Sequence, residues 1–423
     1  MTMPSMPGEP SQRRRVVVTG FGAVTGVGLN AEDTWVSLLA GRSGVAQITQ
    51  FDASGYPSTL ACEVKGFENP SCLDTKEARR MSRFELFAVA ATREALDRAR
   101  LAIHDGNADD IGVVIGTGGS LTTTEHETRV MVERGGMRIS PFTLPMMLPN
   151  MATAQITRVF GIQGYCSTIV TACASGSQAI GEAAEVIRRG AAEIIVAGST
   201  EASLCEMGLS SFSVLRALSQ RNEDPEGASR PFDASRDGMV PGEGAAILIL
   251  ESLDSAISRK ATIYAEILGY GVSSDAYHVV APRPDGRGAA RAMVRAIKDA
   301  RVESNQIDYV NAHGTATQLG DAAETRAIKQ VLGDHAYEIP INSTKSMIGH
   351  SMAAAGAIEA LAAVLSIRDG WVHPTINLHR PDPECDLHYV PNVAQTARID
   401  VALSNSFAFG GHNAVLVVSR YRE

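Results

Sequence analysis

The sequence predicts an α/β protein built from two similar halves, on three observations. Short β-branched runs alternate with helical patterns along the whole chain. Several of those runs are apolar throughout, so helices should cover them on both faces. One strand–turn–helix pattern then occurs twice.

Taken in order, the opening residues 1–14 read as a tail, with Arg13, Arg14 and Arg15 in solvent. Strands are expected over 16–19 (Val-Val-Val-Thr), 111–115, 194–197, 247–250, 309–312 and 415–419. Helices are expected over 83–99, 177–189, 288–300 and 322–332. The apolar run 353–365 is interrupted by Gly356 and Glu359 and falls short of the ~18–20 residues of a membrane span, so it reads as a buried helix. In the repeated pattern, Ser167-Thr168 and Thr171-Ala172-Cys173 lead into a helix dense in Ala, Ser and Gly that ends at Arg188-Arg189-Gly190. Asn342-Ser343-Thr344-Lys345 and His350 likewise lead into an Ala-rich helix ending at Arg368-Asp369-Gly370. Small residues let a helix approach another backbone closely, so two such helices suggest one tightly buried centre. The join falls near 253–262, giving a first half over 15–256 and a second over 257–423.

Composition narrows the function. Of 423 residues, 44% are hydrophobic and 20% charged, which excludes disorder for the bulk of the chain. The formal net charge of -9 argues against binding along nucleic acid or an anionic membrane. Cys62, Cys72, Cys166, Cys173, Cys205 and Cys385 lack CxxC spacing, so neither a zinc site nor a disulfide framework is expected. A soluble protein in a reducing cytoplasm is the natural setting. No apolar stretch follows the charges of the opening segment, so it is not read as a signal peptide. Gly20, Gly22 and Gly26 miss the GxGxxG spacing, and a dinucleotide site is set aside.

Four places could carry chemistry. Cys173 follows a strand-like run and precedes a helix, in Thr171-Ala172-Cys173-Ala174-Ser175-Gly176. A helix N-terminus there would stabilise thiolate, lower the thiol pKa and offer N–H groups to an oxyanion. A buried structural cysteine is the alternative. His313 ends a strand, in Asn311-Ala312-His313-Gly314-Thr315-Ala316-Thr317, where catalytic groups are fixed by a sheet yet exposed by a loop. Taken alone, it could equally be a hydrogen-bonded core histidine. Lys345 and His350 lie among apolar residues, and Glu359 interrupts the helix behind them. A cation and a carboxylate embedded this way suggest a buried pair, structural or catalytic. Finally, Asn405-Ser406-Phe407-Ala408-Phe409-Gly410-Gly411 could be a flexible aromatic gate or a plain β-turn.

Together these motifs resemble the β-ketoacyl-acyl-carrier-protein synthases, specifically the elongating type II enzymes. Ser229-Arg230-Pro231-Phe232-Asp233, Arg236-Asp237-Gly238 and Pro374-Thr375-Ile376-Asn377-Leu378 are similar to the same family, and the resemblance spans nearly the whole chain. It implies a thiolase-type fold, two α/β halves in a five-layered αβαβα core, active as a dimer. It implies that an acyl group passes from acyl carrier protein to Cys173, with backbone N–H groups of Cys173 and Phe409 as oxyanion hole and Phe407 beside the gate. Malonyl-carrier protein would then lose CO2, and its carbanion would attack the Cys173 thioester. His313 and His350 would act as neutral donors to the enolate, with Lys345 near Glu359 tuning the field and Asn405 in support. No cofactor of the protein's own is implied, because the carrier brings phosphopantetheine, with Thr315 and Thr317 as contacts. Lys76, Arg79, Arg80, Arg138, Arg216 and Arg221 fall where the family's basic docking patch lies, although each could be an ordinary solvated residue.

The same residues separate neighbouring families. Thiolases need a second catalytic cysteine near the C-terminus, and Cys385 lies outside such a motif. Initiating type III synthases carry Asn where this chain has His350. Two departures stand out. Ala408 replaces the family's usual Gly between the phenylalanines, which would alter gate motion. Gly118-Gly119 replaces a bulkier element that limits acyl length, so a roomier pocket is expected. The rivals are the catalytic subunit of a type II polyketide synthase, paired with a chain-length factor, and a non-catalytic acyl-binding protein.

Overall fold

A computed structural model describes residues 13–423, so residues 1–12 of the expected tail lie outside the described residues. The sheet strands are β1 (Val16–Thr25), β2 (Ile111–Gly116), β3 (Cys166–Ile169), β4 (Ile194–Glu201), β5 (Gly244–Ser252), β6 (Ala265–Ser274), β7 (Tyr309–Asn311), β8 (Ile341–Asn342), β9 (Val401–Ala408) and β10 (His412–Ser419). The helices that matter here are α1 (Arg83–Ala99), α2 (Leu121–Arg134), α3 (Met151–Phe160), α4 (Ser175–Arg188), α5 (Glu206–Val214), α6 (Arg287–Ala300), α7 (Gln318–Leu332) and α8 (Ala355–Asp369).

The two halves repeat one topology. The first sheet runs β3-β2-β4-β5-β1 and the second β8-β7-β9-β10-β6, so each half has the order third, second, fourth, fifth, first. The directions repeat as well. The second strand of each half is parallel to the third and fourth, and the remaining pairs are antiparallel. Among the described residues the two sheets are joined by two register pairs, Val17 with Glu266 and Val18 with Ala265.

Five layers follow from where the apolar faces point. α1 and α3 cover the outer face of the first sheet, and α6 and α7 that of the second. Between the sheets lie α4 and α8. α8 buries every residue from Ala355 to Ile367, as a helix without a polar face must. Gly176 and Gly356 sit where these helices touch. A Cβ on Gly176 would lie 2.5 Å from the Ala357 nitrogen, and one on Gly356 2.6 Å from the Ser177 nitrogen. The paired small-residue helices read from the sequence are therefore the centre of the molecule.

The glycines of the first strand have a packing reason. Added Cβ atoms on Gly20 and Gly22 would meet carbonyl oxygens of α1 at 2.4 and 2.2 Å. Strands β6 and β9 escaped the sequence reading for related reasons. Gly269 and Gly271 thin β6 where α6 packs on it, and the buried Ser404, Asn405 and Ser406 make β9 look like a loop.

One expectation is overturned at the N-terminus. Arg13, Arg14 and Arg15 are not free in solvent. Arg13 pairs with Glu185 and Asp299, Arg14 with Glu193, and Arg15 with Glu266. Those carboxylates come from elements distant in sequence, so no local pattern foretells the pairing. No helix of the described residues is long and apolar enough to cross a membrane.

Candidate active site

Cys173 lies in a 3-10 turn, Ala172–Ala174, between β3 and α4. Its counterpart in the second half, Met352–Ala354, follows His350 and precedes α8. Ala172 and Met352 both hold positive φ, +50° and +47°, a conformation unfavourable to residues with a Cβ. Such backbone persists where surrounding packing fixes it, and here it borders both reactive side chains.

The site is assembled across the two halves. His350 Nε2 lies 3.1 Å from Cys173 Sγ, while His350 Nδ1 accepts the Met352 N–H at 3.2 Å. Nδ1 is therefore unprotonated, and the ring proton sits on Nε2, facing the sulfur. Lys345 imposes the same tautomer on His313. Its ammonium donates to the His313 carbonyl at 2.7 Å, lies 3.3 Å from His313 Nδ1, and pairs with Glu359. An ammonium can only donate, so His313 Nδ1 accepts and Nε2 carries the proton. The two imidazoles face each other edge-on with centroids 5.4 Å apart. Burial and the nearby Lys345 charge hold both well below the usual histidine pKa, and the site thus contains two neutral Nε2–H donors.

Backbone N–H groups of Phe409 and Cys173 both favour the anionic sulfur, and they are the pair expected to form an oxyanion hole. The thiol itself departs from expectation. Burial pushes Cys173 up to about 11, against the opposing pull of Lys345 and the two N–H groups. Desolvation outweighs the helix end, so the resting nucleophile is the thiol rather than the thiolate.

Glu359 is fully buried on α8, where burial raises its carboxyl and Lys345 draws it back down. Asn405 donates to Glu324, whose two oxygens accept the N–H groups of His313 and Gly314, each at 2.8 Å. Glu324 thus fixes the His313 loop, and the sequence reading missed it. The signal was present in Asp321 and Glu324, two carboxylates one turn apart on a helix that buries both. Asp275 was missed too. Its backbone N–H donates to the Gly411 carbonyl, and its side chain accepts from Asn413 and from the Arg283 N–H. Nothing local to Ser273-Ser274-Asp275 points to that contact.

The aromatic segment is a hairpin between β9 and β10, with Phe409–Gly411 as its turn. Ala408 is extended, at φ −119°, so its Cβ fits without strain in this conformation. A cavity of about 730 Å³ opens beside the site, lined by Cys173, His313, His350, Phe407 and Phe409. Thr315 and Thr317 line it as well, with their hydroxyls 3.0 Å apart, and so do Gly118 and Gly119. Of the six basic candidates only Arg216 reaches the cavity. Lys76, Arg79, Arg80 and Arg138 are exposed elsewhere, Arg80 stacking over Phe142, while Arg221 is half-buried against Asp237 and the Ser235 carbonyl. Among the described residues no three His, Cys, Asp or Glu side chains form a metal cluster, although Glu359 Oε2, Asn311 Oδ1, Ser404 Oγ and Asn405 Oδ1 are buried without hydrogen-bond partners.

A buried thiol beside two neutral imidazole donors, carried on this duplicated fold, defines an acyl-transferring condensing enzyme. Residues 13–256 match the family described as Beta-ketoacyl synthase, N-terminal domain, and residues 264–379 its C-terminal domain. The chain belongs to the β-ketoacyl synthase family. It is similar to 3-oxoacyl-[acyl-carrier-protein] synthase 2 of Synechocystis sp., with 50% identity over 412 residues covering 97% of this chain and 99% of that protein. Among solved structures it is similar to a chain from a complex described as a type II PKS acyl-carrier protein with its ketosynthase bound to the hexaketide, at 37% identity and TM-score 0.89, covering 97% of this chain and 100% of that one. The ishigamide ketosynthase/chain length factor gives 37% identity and TM-score 0.90, with the same coverage. The thiolase-type fold and the condensing class expected from the motifs both hold.

Proposed function

We propose that this protein extends acyl chains by two carbons as a 3-oxoacyl-[acyl-carrier-protein] synthase. The observation that carries the proposal is the seating of Cys173 Sγ 3.1 Å from His350 Nε2, with both histidines fixed as Nε2–H donors by Met352 and Lys345. In the first stage the Cys173 sulfur attacks the thioester carbonyl of acyl-carrier protein. The oxyanion rests on the N–H groups of Cys173 and Phe409, and the carrier leaves as its thiol, taking up the thiol proton. In the second stage the malonyl thioester oxygen accepts from His313 and His350 while the C–CO2 bond breaks. The resulting carbanion attacks the Cys173 thioester, the cysteine sulfur departs with the electron pair, and a proton from solvent restores the resting thiol. Charge develops where preorganised donors already point, usually the largest single contribution to such a rate. The phosphopantetheine arm belongs to the carrier, and Thr315 and Thr317 are its proposed contacts.

Incubation with malonyl-carrier protein and a panel of acyl-carrier proteins, read by mass, tests the proposal. The expected product is a β-ketoacyl-carrier two carbons longer than the acyl donor, absent with Cys173→Ala. Undiminished condensation by that variant would end it.

Three finer readings belong to the same proposal. Gly118 and Gly119 line the cavity without adding a side chain to it, which suits long or unsaturated chains; a strict short-chain preference in the same panel would defeat this. Charge reversal at Arg216, exposed at the cavity mouth, should raise KM for carrier-bound substrates and spare small thioesters. The β3 edge, with exposed Cys166, Val170, Leu144 and Leu148 nearby, suits pairing with a second copy. A homodimer is the reading adopted. The other is a catalytic polyketide synthase subunit paired with a chain-length factor, which the open Gly118-Gly119 loop favours; native mass spectrometry after co-expression with a homologue separates the two. Six free cysteines fit a reducing cytoplasm.

A further inference from the structure

Glu201 is a buried carboxylate that the condensing chemistry leaves unused. It closes β4, is 3% exposed, and lines the cavity together with Cys173, Gly118 and Ala353. Glu359 has Lys345 beside it, whereas Glu201 has no cation within ion-pair distance among the described residues. A buried carboxylate without a counter-ion is costly, so hydrogen-bond donors must hold it there.

The geometry singles out Gly118. Its N–H donates to Glu201 Oε2 at 3.2 Å. Gly119 holds φ +88°, which glycine alone adopts easily, but Gly118 lies outside that left-handed region. What excludes a side chain at Gly118 is Glu201 itself. The three atoms nearest an added Cβ, 2.8 to 3.9 Å away, all belong to the Glu201 carboxylate group. Glycine and carboxylate therefore form a fitted pair. Burial raises the Glu201 carboxyl, while the Ser203 hydroxyl and the N–H groups of Gly118, Ala202 and Ala353 favour its charged form. Ala353 belongs to the 3-10 turn that follows His350, so these donors come from both halves of the site.

We infer that Glu201 is a positioning residue for the acyl chain: it holds the Gly118-Gly119 segment against the end of β4 and so sets the width of the cavity there. The inference rests on the acyl-condensing reaction proposed above. The rival role is electrostatic, because Glu201 also raises the Cys173 thiol, and that effect would act alike on every acyl chain.

Acylation of Cys173 by acyl-pantetheine thioesters of increasing length, followed by intact mass, separates the two. Glu201→Ala should lose rate progressively with chain length, by roughly tenfold or more at the longest chain the parent accepts. A partly misfolded sample scales all chains alike, so the dependence on length is read within each variant. Glu201→Gln keeps an acceptor oxygen for the Gly118 N–H and should recover most of the long-chain loss. Gly118→Ala should slow long chains in the parent, where its methyl meets Oε2. In the Glu201→Ala background it should add nothing further, because that atom is gone. Losses equal at every chain length would overturn the inference and assign Glu201 to the charge around Cys173. Additive losses in the double variant would overturn it too, as would Glu201→Gln being as impaired as Glu201→Ala. Each of these results leaves the condensing reaction standing. A parent whose Cys173 takes up no acyl group would strike the proposed function, and the inference with it.

Discussion

Lys345 shows how much one buried side chain can organise. It is 1% exposed, neutralises Glu359, holds the His313 loop by its carbonyl and fixes the His313 tautomer. Lys345→Met strands a fully buried carboxylate and should lower stability by about 3–5 kcal/mol, whereas adding Glu359→Gln should recover part of it. Urea unfolding of the two variants checks this, and equal losses would show that the pair is not coupled. The histidines yield a second expectation. A depressed pKa keeps an imidazole neutral below pH 6.5, so kcat should hold its level as pH falls from 7 to 6. A loss centred near 6.5 would mean that His313 or His350 titrates like a free imidazole. Lys345, His350 and Glu359 were legible as polar residues in apolar sequence, Cys173 by its place between a strand and a helix, and His313 by its place at a strand end. The thiol pKa was not, because the helix end is visible in sequence while the depth of burial is not.

At the scale of elements, the contact between α4 and α8 sets the distance between the nucleophile and the second-half histidine. Each helix follows directly from the turn beside its reactive residue, and each presents a glycine to the other's backbone. Gly356→Ala would push its methyl to 2.6 Å from the Ser177 nitrogen, so the helices must separate by some tenths of an ångström. Overpacking of this kind typically destabilises by about 1–3 kcal/mol. The same shift should slow acylation of Cys173 while leaving helix content unchanged, measurable by intact mass and circular dichroism. A variant that keeps its melting temperature and acylation rate would show that the contact is slack. Helix α1 was read from the sequence to the residue. Strand β9 was not, because Ser404, Asn405 and Ser406 are polar residues recruited into a central strand beside the site.

Over the whole molecule, three buried histidines link folding to pH. Burial lowers His373 to about 4, and His313 and His350 are depressed as well. A group whose pKa falls on folding contributes stability above its unfolded value, near 6.5, and loses it as pH drops toward the folded value. His373→Gln should therefore be less stable than the parent at pH 7, with the gap narrowing by roughly 2 kcal/mol by pH 5. A gap independent of pH, followed by chemical denaturation, would show that His373 is accessible to protons in the native state. By itself the sequence determined the α/β class, the repeat and the two small-residue helices, and it singled out Cys173, His313, Lys345 and His350 as candidate site residues. Each of these is written in local pattern: hydrophobic period, small-residue runs, and polar residues in apolar company. Tertiary structure alone decided the sheet order, the protonation state of the thiol, the tautomers of both imidazoles, the pairing of Arg13, Arg14 and Arg15, and the contacts of Glu324 and Asp275. These depend on which distant segments meet and how much water they exclude, and no local pattern encodes either.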